Sequence, residues 1–148
     1  MRRMIPKLIL VPVDFSANSE RALDYACELA AKLGSTVRMV HAFASPPSAL
    51  RIALTEDILE NLVNEHKAGL GKLAAARSGS ASFGEPIVEV GDPRDAIVQT
   101  AEKLGADLIV MGTQGRRGLS RVMMGSVAED VIRQAPCPVL AVRAKREG

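Results

Sequence analysis

The stretch from Gly112 to Ser126 holds the residues best suited to chemistry: Gly112-Thr113-Gln114-Gly115, nine further residues, then Gly125-Ser126. It contains four glycines, at 112, 115, 118 and 125, and three arginines, Arg116, Arg117 and Arg121. A connection of that length inside a compact domain is uncommon and is usually either functional or disordered. This one follows the apolar run Leu108-Ile109-Val110-Met111 and leads into a helical pattern from Val127 to Ala135. Glycine lets a backbone approach a ligand closely, and a helix N-terminus offers free N–H groups and a partial positive charge. The chemistry that suits this combination is the holding of a phosphate, with the arginines available to meet its charge.

Ser126-Val127-Ala128-Glu129 also has the spacing of a capping box, which makes Ser126 the expected N-cap of the last helix. Capping and phosphate binding are compatible, because several amides of the first turn stay free. Asp14 is a second candidate. It directly follows a buried strand, where a carboxylate could accept hydrogen bonds from a ribose, face a magnesium ion, or serve as a turn or N-cap residue. His41, at the end of a strand, reads as structural, and His66, beside Glu65 and Lys67, as a surface residue.

Catalytic constellations are missing. The chain shows no Ser-His-Asp arrangement, no paired carboxylates and no nucleophile elbow. Neither Gly115 nor Gly125 is followed by the Lys-Ser or Lys-Thr of a Walker loop. Gln114 could orient a water beside a phosphate, but one glutamine is weak support for an enzyme. Any hydrolysis of a bound phosphate compound is therefore expected to be slow.

The elements that would position these residues alternate along the chain. Leu8 to Val13 is an aliphatic run of the kind found in strands covered on both faces. Ser19 to Leu33 has helical spacing and ends at Gly34, and Thr36 to His41 is a second strand. A helical pattern runs from Leu50 to about Arg77, with a bend or break expected at Gly69 and Gly71. Ser78 to Glu85 has the composition of a flexible connector, and Pro86 to Val90 that of a third strand. Asp92-Pro93 opens a helix to Leu104 as cap and first residue. Leu108 to Met111 is strand four, and Pro138 to Arg143 strand five. That order predicts an α/β fold: one domain over residues 1–148, with an open, five-stranded, mainly parallel sheet and helices on both faces. In such a sheet the ligand settles beyond the carboxyl ends of the strands, where strand order reverses. Asp14, Ala42 and the Gly112 loop would then share one rim.

Composition narrows the alternatives. Hydrophobic residues make up 47% of the 148 positions but aromatics only 3%, so the core must be aliphatic and a stacked flavin is disfavoured. A net charge of +2 with scattered basic residues argues against nucleic acid, which needs a clustered basic face. No run approaches the ~20 apolar residues of a membrane span, and no leader peptide is evident, so a cytoplasmic location is expected. Cys27 and Cys137 are far apart and lack metal-site spacing. A phospho-receiver domain would want an acidic pair after strand one, where this chain offers Asp14 alone.

Gly112-x2-Gly115-x9-Gly125-Ser126 resembles the ATP-binding signature of the universal stress protein family. Leu10-Val11-Pro12-Val13-Asp14-Phe15-Ser16 is similar to that family's first strand and turn, and residues 125–143 to its last helix and strand. The resemblance runs from about Lys7 to Arg143. It implies an adenine-nucleotide-binding α/β fold, generally homodimeric and produced under stress. It implies ATP, ADP or AMP as ligand, with or without magnesium. By the same analogy Pro12, Val13 and Asp14 lie around adenine and ribose, with Ala42 on the adenine side. Gly112 sits near the ribose, while Gly115, Gly125, Ser126 and Val127 hold the phosphates; Arg116 joins the candidate site for its charge rather than by this analogy. Many members carry His at the position of Gln114 and a bulkier aliphatic at that of Ala42. An apolar last strand, Val139 to Val142, would leave an exposed sheet edge, and pairing with its own copy would cover it. The reading is a stress-response sensor or regulator; the alternative is a slow ATP hydrolase or phosphotransferase using the same site.

Overall fold

The computed structural model of the chain describes residues 5–44, 56–114 and 124–144. Leu8–Pro12 (β1) lies at the middle of the sheet and is almost wholly buried. Its neighbours are Thr36–Phe43 (β2) on one side and Leu108–Gly112 (β5) on the other. Beyond β5 comes Val139–Val142 (β6), and beyond β2 come two short strands, Ser82–Phe83 (β3) and Ile87–Val90 (β4). Every pairing is parallel. The chain runs outward from β1 to β2 and β4, then crosses back to add β5 on the far side of β1. Strand order therefore reverses between β1 and β5.

Among the described residues, four helices cover the two faces. Ala17–Leu33 (α1) and Glu56–Ala75 (α2) pack on one face over Ile9, Val11, Val37 and Met39. Pro93–Leu104 (α3) and Ser126–Gln134 (α4) pack on the other over Leu10, Val40 and Ile109. Alternate residues of β1 thus feed opposite cores, which is why the strand reads as an unbroken aliphatic run. α1 and α3 both end on a glycine in the left-handed region, Gly34 at φ 70° and Gly105 at φ 64°. At the strands' other end, the Asp107 carboxylate accepts the Lys7 and Leu8 amides at 2.9 and 3.0 Å, pinning the start of β1 beside β5.

Four expectations need correction. The sheet has six strands, not five, because part of the presumed connector pairs with β2. β3 binds its first residues, through Thr36 and Val37, and β4 its last, from Val40 to Phe43. Pro86, which has no amide to donate, falls in the gap. The Arg38 side chain fills that gap, donating from Nε to Glu85 O at 2.9 Å. A Cβ on Gly84 would come within 2.7 Å of Arg38 Cγ, so the interruption needs glycine.

The second helix runs unbroken through Gly69 and Gly71. The break is thus absent, and Gly69 serves a close approach, since a Cβ there would stand 3.2 Å from the Phe15 ring. His66 is not a surface residue either. Its ring lies 4.7 Å from that of His41 and 4.8 Å from that of Phe43, and its Nδ1 is buried with no hydrogen-bond partner among the described residues. α1 begins at Ala17, two residues earlier than the periodicity predicts, because Ser16 caps it by accepting the Ser19 amide.

Candidate functional site

β1 and β5 part where strand order reverses, and a cavity of about 500 Å³ opens at the carboxyl ends of the strands. Pro12, Val13 and Asp14 leave β1 along one side, and Gly112, Thr113 and Gln114 leave β5 along another. Ala42, at the end of β2, and Val40 and Ile97 give it an apolar end. Gly125, Ser126 and Val127 bring in the start of α4. Of the ten residues singled out from the sequence, eight therefore line one cavity: Pro12, Val13, Asp14, Ala42, Gly112, Gly125, Ser126 and Val127. Gly115 and Arg116 lie outside the described residues, as do Arg117, Gly118 and Arg121.

The turn after β1 is held from several directions. Val13 N donates to Val40 O at 2.8 Å, which carries the parallel ladder one step past the strand. The Asp14 carboxylate accepts the Ser16 amide at 2.9 Å, while its own amide reaches Ser19 Oγ at 3.3 Å. Asp14 is thus a turn residue, and the N-cap role belongs to Ser16. Phe15 takes φ 63°, a conformation uncommon for a non-glycine residue. Its ring lies against His41, at 4.9 Å between centroids, and that burial keeps the turn in place. His41 Nδ1 in turn contacts Val13 O at 2.7 Å, so this buried histidine braces the site's wall from behind.

The start of α4 corrects the capping-box expectation. Gly125 is the N-cap and Ser126 is already the first helical residue, so among the described residues no side chain caps this helix. Glu129 N makes the first intrahelical bond, to Gly125 O at 3.1 Å. The amides of Ser126, Val127 and Ala128 consequently have no partner within the helix. Gly125 N is committed, donating to Thr113 O at 2.7 Å, which fastens the helix start to the exit of β5.

Sequence reasoning missed Asn18, Asp92 and Arg94 as parts of this region. Asp92 was recognised only as a cap, which it is, accepting the Arg94 amide at 2.9 Å. The Arg94 guanidinium closes on the same carboxylate at 2.7 Å and reaches Asp130 on α4 at 3.4 Å. This chain of charges joins the two helix starts that flank the cavity. Any signal for it was weak, because Asp130 is 36 positions from Arg94.

The Arg94 side-chain and backbone hydrogen bonds hold the Asp92 carboxyl at about 2, below its ordinary 3.8. A carboxyl lowered on folding adds stability that is complete above about pH 4 and is lost as the pH falls through about 2. Asp92→Asn keeps the cap but removes the charge. The pair is well exposed, so a small loss of urea resistance is expected at pH 7. That difference from wild type should shrink below pH 4 and be mostly gone at pH 2. A difference that stays constant over this range would show that the ion pair contributes nothing.

Both cysteines are held toward the neutral thiol. Burial pushes the pKa of both Cys27 and Cys137 up, and the thiolate is the nucleophilic form. Among the described residues no group of three or more His, Cys, Asp and Glu could hold a metal, and no helix is long and apolar enough to cross a membrane.

Comparison with known proteins agrees with this geometry. The family model described as "Universal stress protein family" matches residues 6–143. Universal stress protein MJ0531 of Methanocaldococcus jannaschii is 35% identical over 145 residues, covering 95% of this chain and 84% of that protein. The solved structure of MJ0577, from the same organism, superposes with a TM-score of 0.82 at 30% identity, covering 97% of this chain and all of that one. The universal stress protein from Archaeoglobus fulgidus, solved in complex with dAMP, superposes with a TM-score of 0.64 at 30% identity and covers 94% and 99% of the two chains.

Proposed function

Because the chain belongs to the universal stress protein family, we propose that its cavity binds an adenine nucleotide, ATP foremost, and that the protein acts as a nucleotide-dependent stress regulator. One observation carries the reading. A helix start with three amides unspent inside the helix and no side-chain cap lines a cavity at the sheet's switch point. An anion with three or more oxygen acceptors would satisfy those amides. The dAMP complex of the Archaeoglobus fulgidus relative supports adenosine as the other half of the ligand.

In this reading Gly125, Ser126 and Val127 hold phosphate, with Gly115 and Arg116 contributing from the loop. The apolar end at Ala42, with Val13 and Pro12, receives the base, and Asp14 and Gly112 stand beside the ribose. The small Ala42 side chain leaves more room at the base than a larger aliphatic would. Asp14 could also face a magnesium ion carried in by the phosphates, and no resident metal is required. Hydrogen bonds to charged groups contribute about 1.5–3 kcal/mol each, so a few of them, less association costs, support roughly micromolar affinity.

Hydrolysis is not favoured, since the cavity presents no histidine or lysine among the described residues. The proposed assembly is a homodimer through the β6 edge, Val139 to Val142, in which two copies of the outermost strand pair across a two-fold axis. We place its site of action in the cytoplasm.

Calorimetric titration with ATP, ADP and adenosine tests the core of this. One site per protomer is expected, with ATP bound more tightly than adenosine. Product release, followed in the same samples, should stay far below the ~10 per second typical of enzymes. Failure of all three ligands to bind at millimolar concentration would overturn the proposal.

A further inference from the structure

Asn18, on the first turn of α1, is only 9% exposed, and both ends of its amide are engaged. Oδ1 accepts the Gln114 amide at 2.8 Å, and Nδ2 donates to Val142 O at 3.3 Å. The same Val142 carbonyl accepts the Thr113 amide at 3.1 Å. Gly112 lies directly against this group, since a Cβ there would come within 2.6 Å of Asn18 Oδ1 and 2.8 Å of Cγ. α1, the exit of β5 and the end of β6 therefore meet on one side chain.

The chemical need is specific. Where β5 ends, the ladder no longer serves the next amide, and an unpaired, part-buried N–H is costly. One short side chain must accept from Gln114 and donate to Val142, and among short residues only asparagine carries both functions on one rigid plane. Thr113, held between these contacts, then accepts Gly125 N–H at 2.7 Å. A line of hydrogen bonds thus runs from Asn18 through Gln114 and Thr113 to the start of α4, although Asn18 itself does not line the cavity.

We infer that Asn18 is a positioning residue of the nucleotide site: it sets where Thr113, Gln114 and, through Thr113, the phosphate-facing end of α4 stand. The inference rests on the nucleotide reading above. It also assigns Gly112 a second role, making room for the Asn18 amide as well as bordering the cavity.

The test compares wild type with Asn18→Ala in the full chain, by two measurements. Amide hydrogen exchange without ligand should show Gln114 at least about tenfold less protected in the variant, since its Asn18 acceptor is gone. Titration should show ATP weakened about tenfold or more while adenosine changes by less than about twofold. A merely structural residue would weaken both ligands alike or neither. Unchanged exchange at Gln114 would overturn the inference, and so would unchanged ATP affinity alongside faster exchange. Should the wild type bind no nucleotide, the function proposed above fails, and the exchange measurement alone decides whether Asn18 holds Gln114. If Asn18→Ala does not fold, Asn18→Ser, whose hydroxyl is too short to reach both partners, is read the same way.

Discussion

Ser126→Asp is expected to weaken ATP binding by about 100-fold or more, roughly 2.7 kcal/mol, while leaving thermal stability unchanged or slightly raised. The two effects share one cause. Ser126 is the first residue of α4 and exposed to the cavity, at the positive end of the helix. A carboxylate there interacts favourably with the helix, by about 0.3–1 kcal/mol, and competes for the same amides that would hold a phosphate. Its charge also repels the ligand. Ser126→Ala separates the terms: no side-chain cap is lost, so stability should hold and ATP affinity should fall only modestly. Calorimetry together with a melting curve decides it. An aspartate variant that binds ATP like wild type would remove the α4 start from the site.

The second large effect concerns the scaffold. Leu10→Ala is expected to cost about 3 kcal/mol, a large share of the 5–15 kcal/mol typical of a domain. Leu10 is fully buried in the central strand and belongs to the cluster with Val40, Ile97 and Ile109, on the same face of the sheet as the cavity's apolar end. Strands on both sides of β1 hold its backbone in register, so the void cannot readily collapse. Urea unfolding should show a lower midpoint with an unchanged slope. A loss below about 1 kcal/mol would mean that the sheet relaxes around the missing atoms, contrary to this description of its core.

How much of this was legible in the sequence depended on whether a feature was local. The alternation of strands and helices was, because β1 and β5 are continuous aliphatic runs and because Gly34, Gly105 and Asp92 end or start helices through contacts within a few residues. Eight of the ten chosen site residues share the cavity because strand ends share a rim once the strands are parallel. What failed was what depends on distant partners. Ser-Gly-Ser-Ala-Ser-Phe from 78 to 83 has no strand character of its own, and only the edge of β2 makes residues 82–83 a strand. The capping box at Ser126 was the right local pattern, but Thr113 O binds Gly125 N and makes Gly125 the N-cap. Asn18 in Ser16-Ala17-Asn18-Ser19 is indistinguishable from an ordinary helix-start residue until Gln114 and Val142, 96 and 124 positions away, are seen beside it.

The break in the outer strand at Gly84 to Pro86 bears on how copies of this chain can meet. A sheet with two usable margins can take a neighbour at each and grow into a fibre, whereas one usable margin admits a single neighbour and then stops. Here one margin is split into pieces of two and four residues with the Arg38 side chain across the gap. The opposite margin, β6, is uninterrupted. In the proposed homodimer, strand addition at β6 would therefore join like to like and stop at two copies.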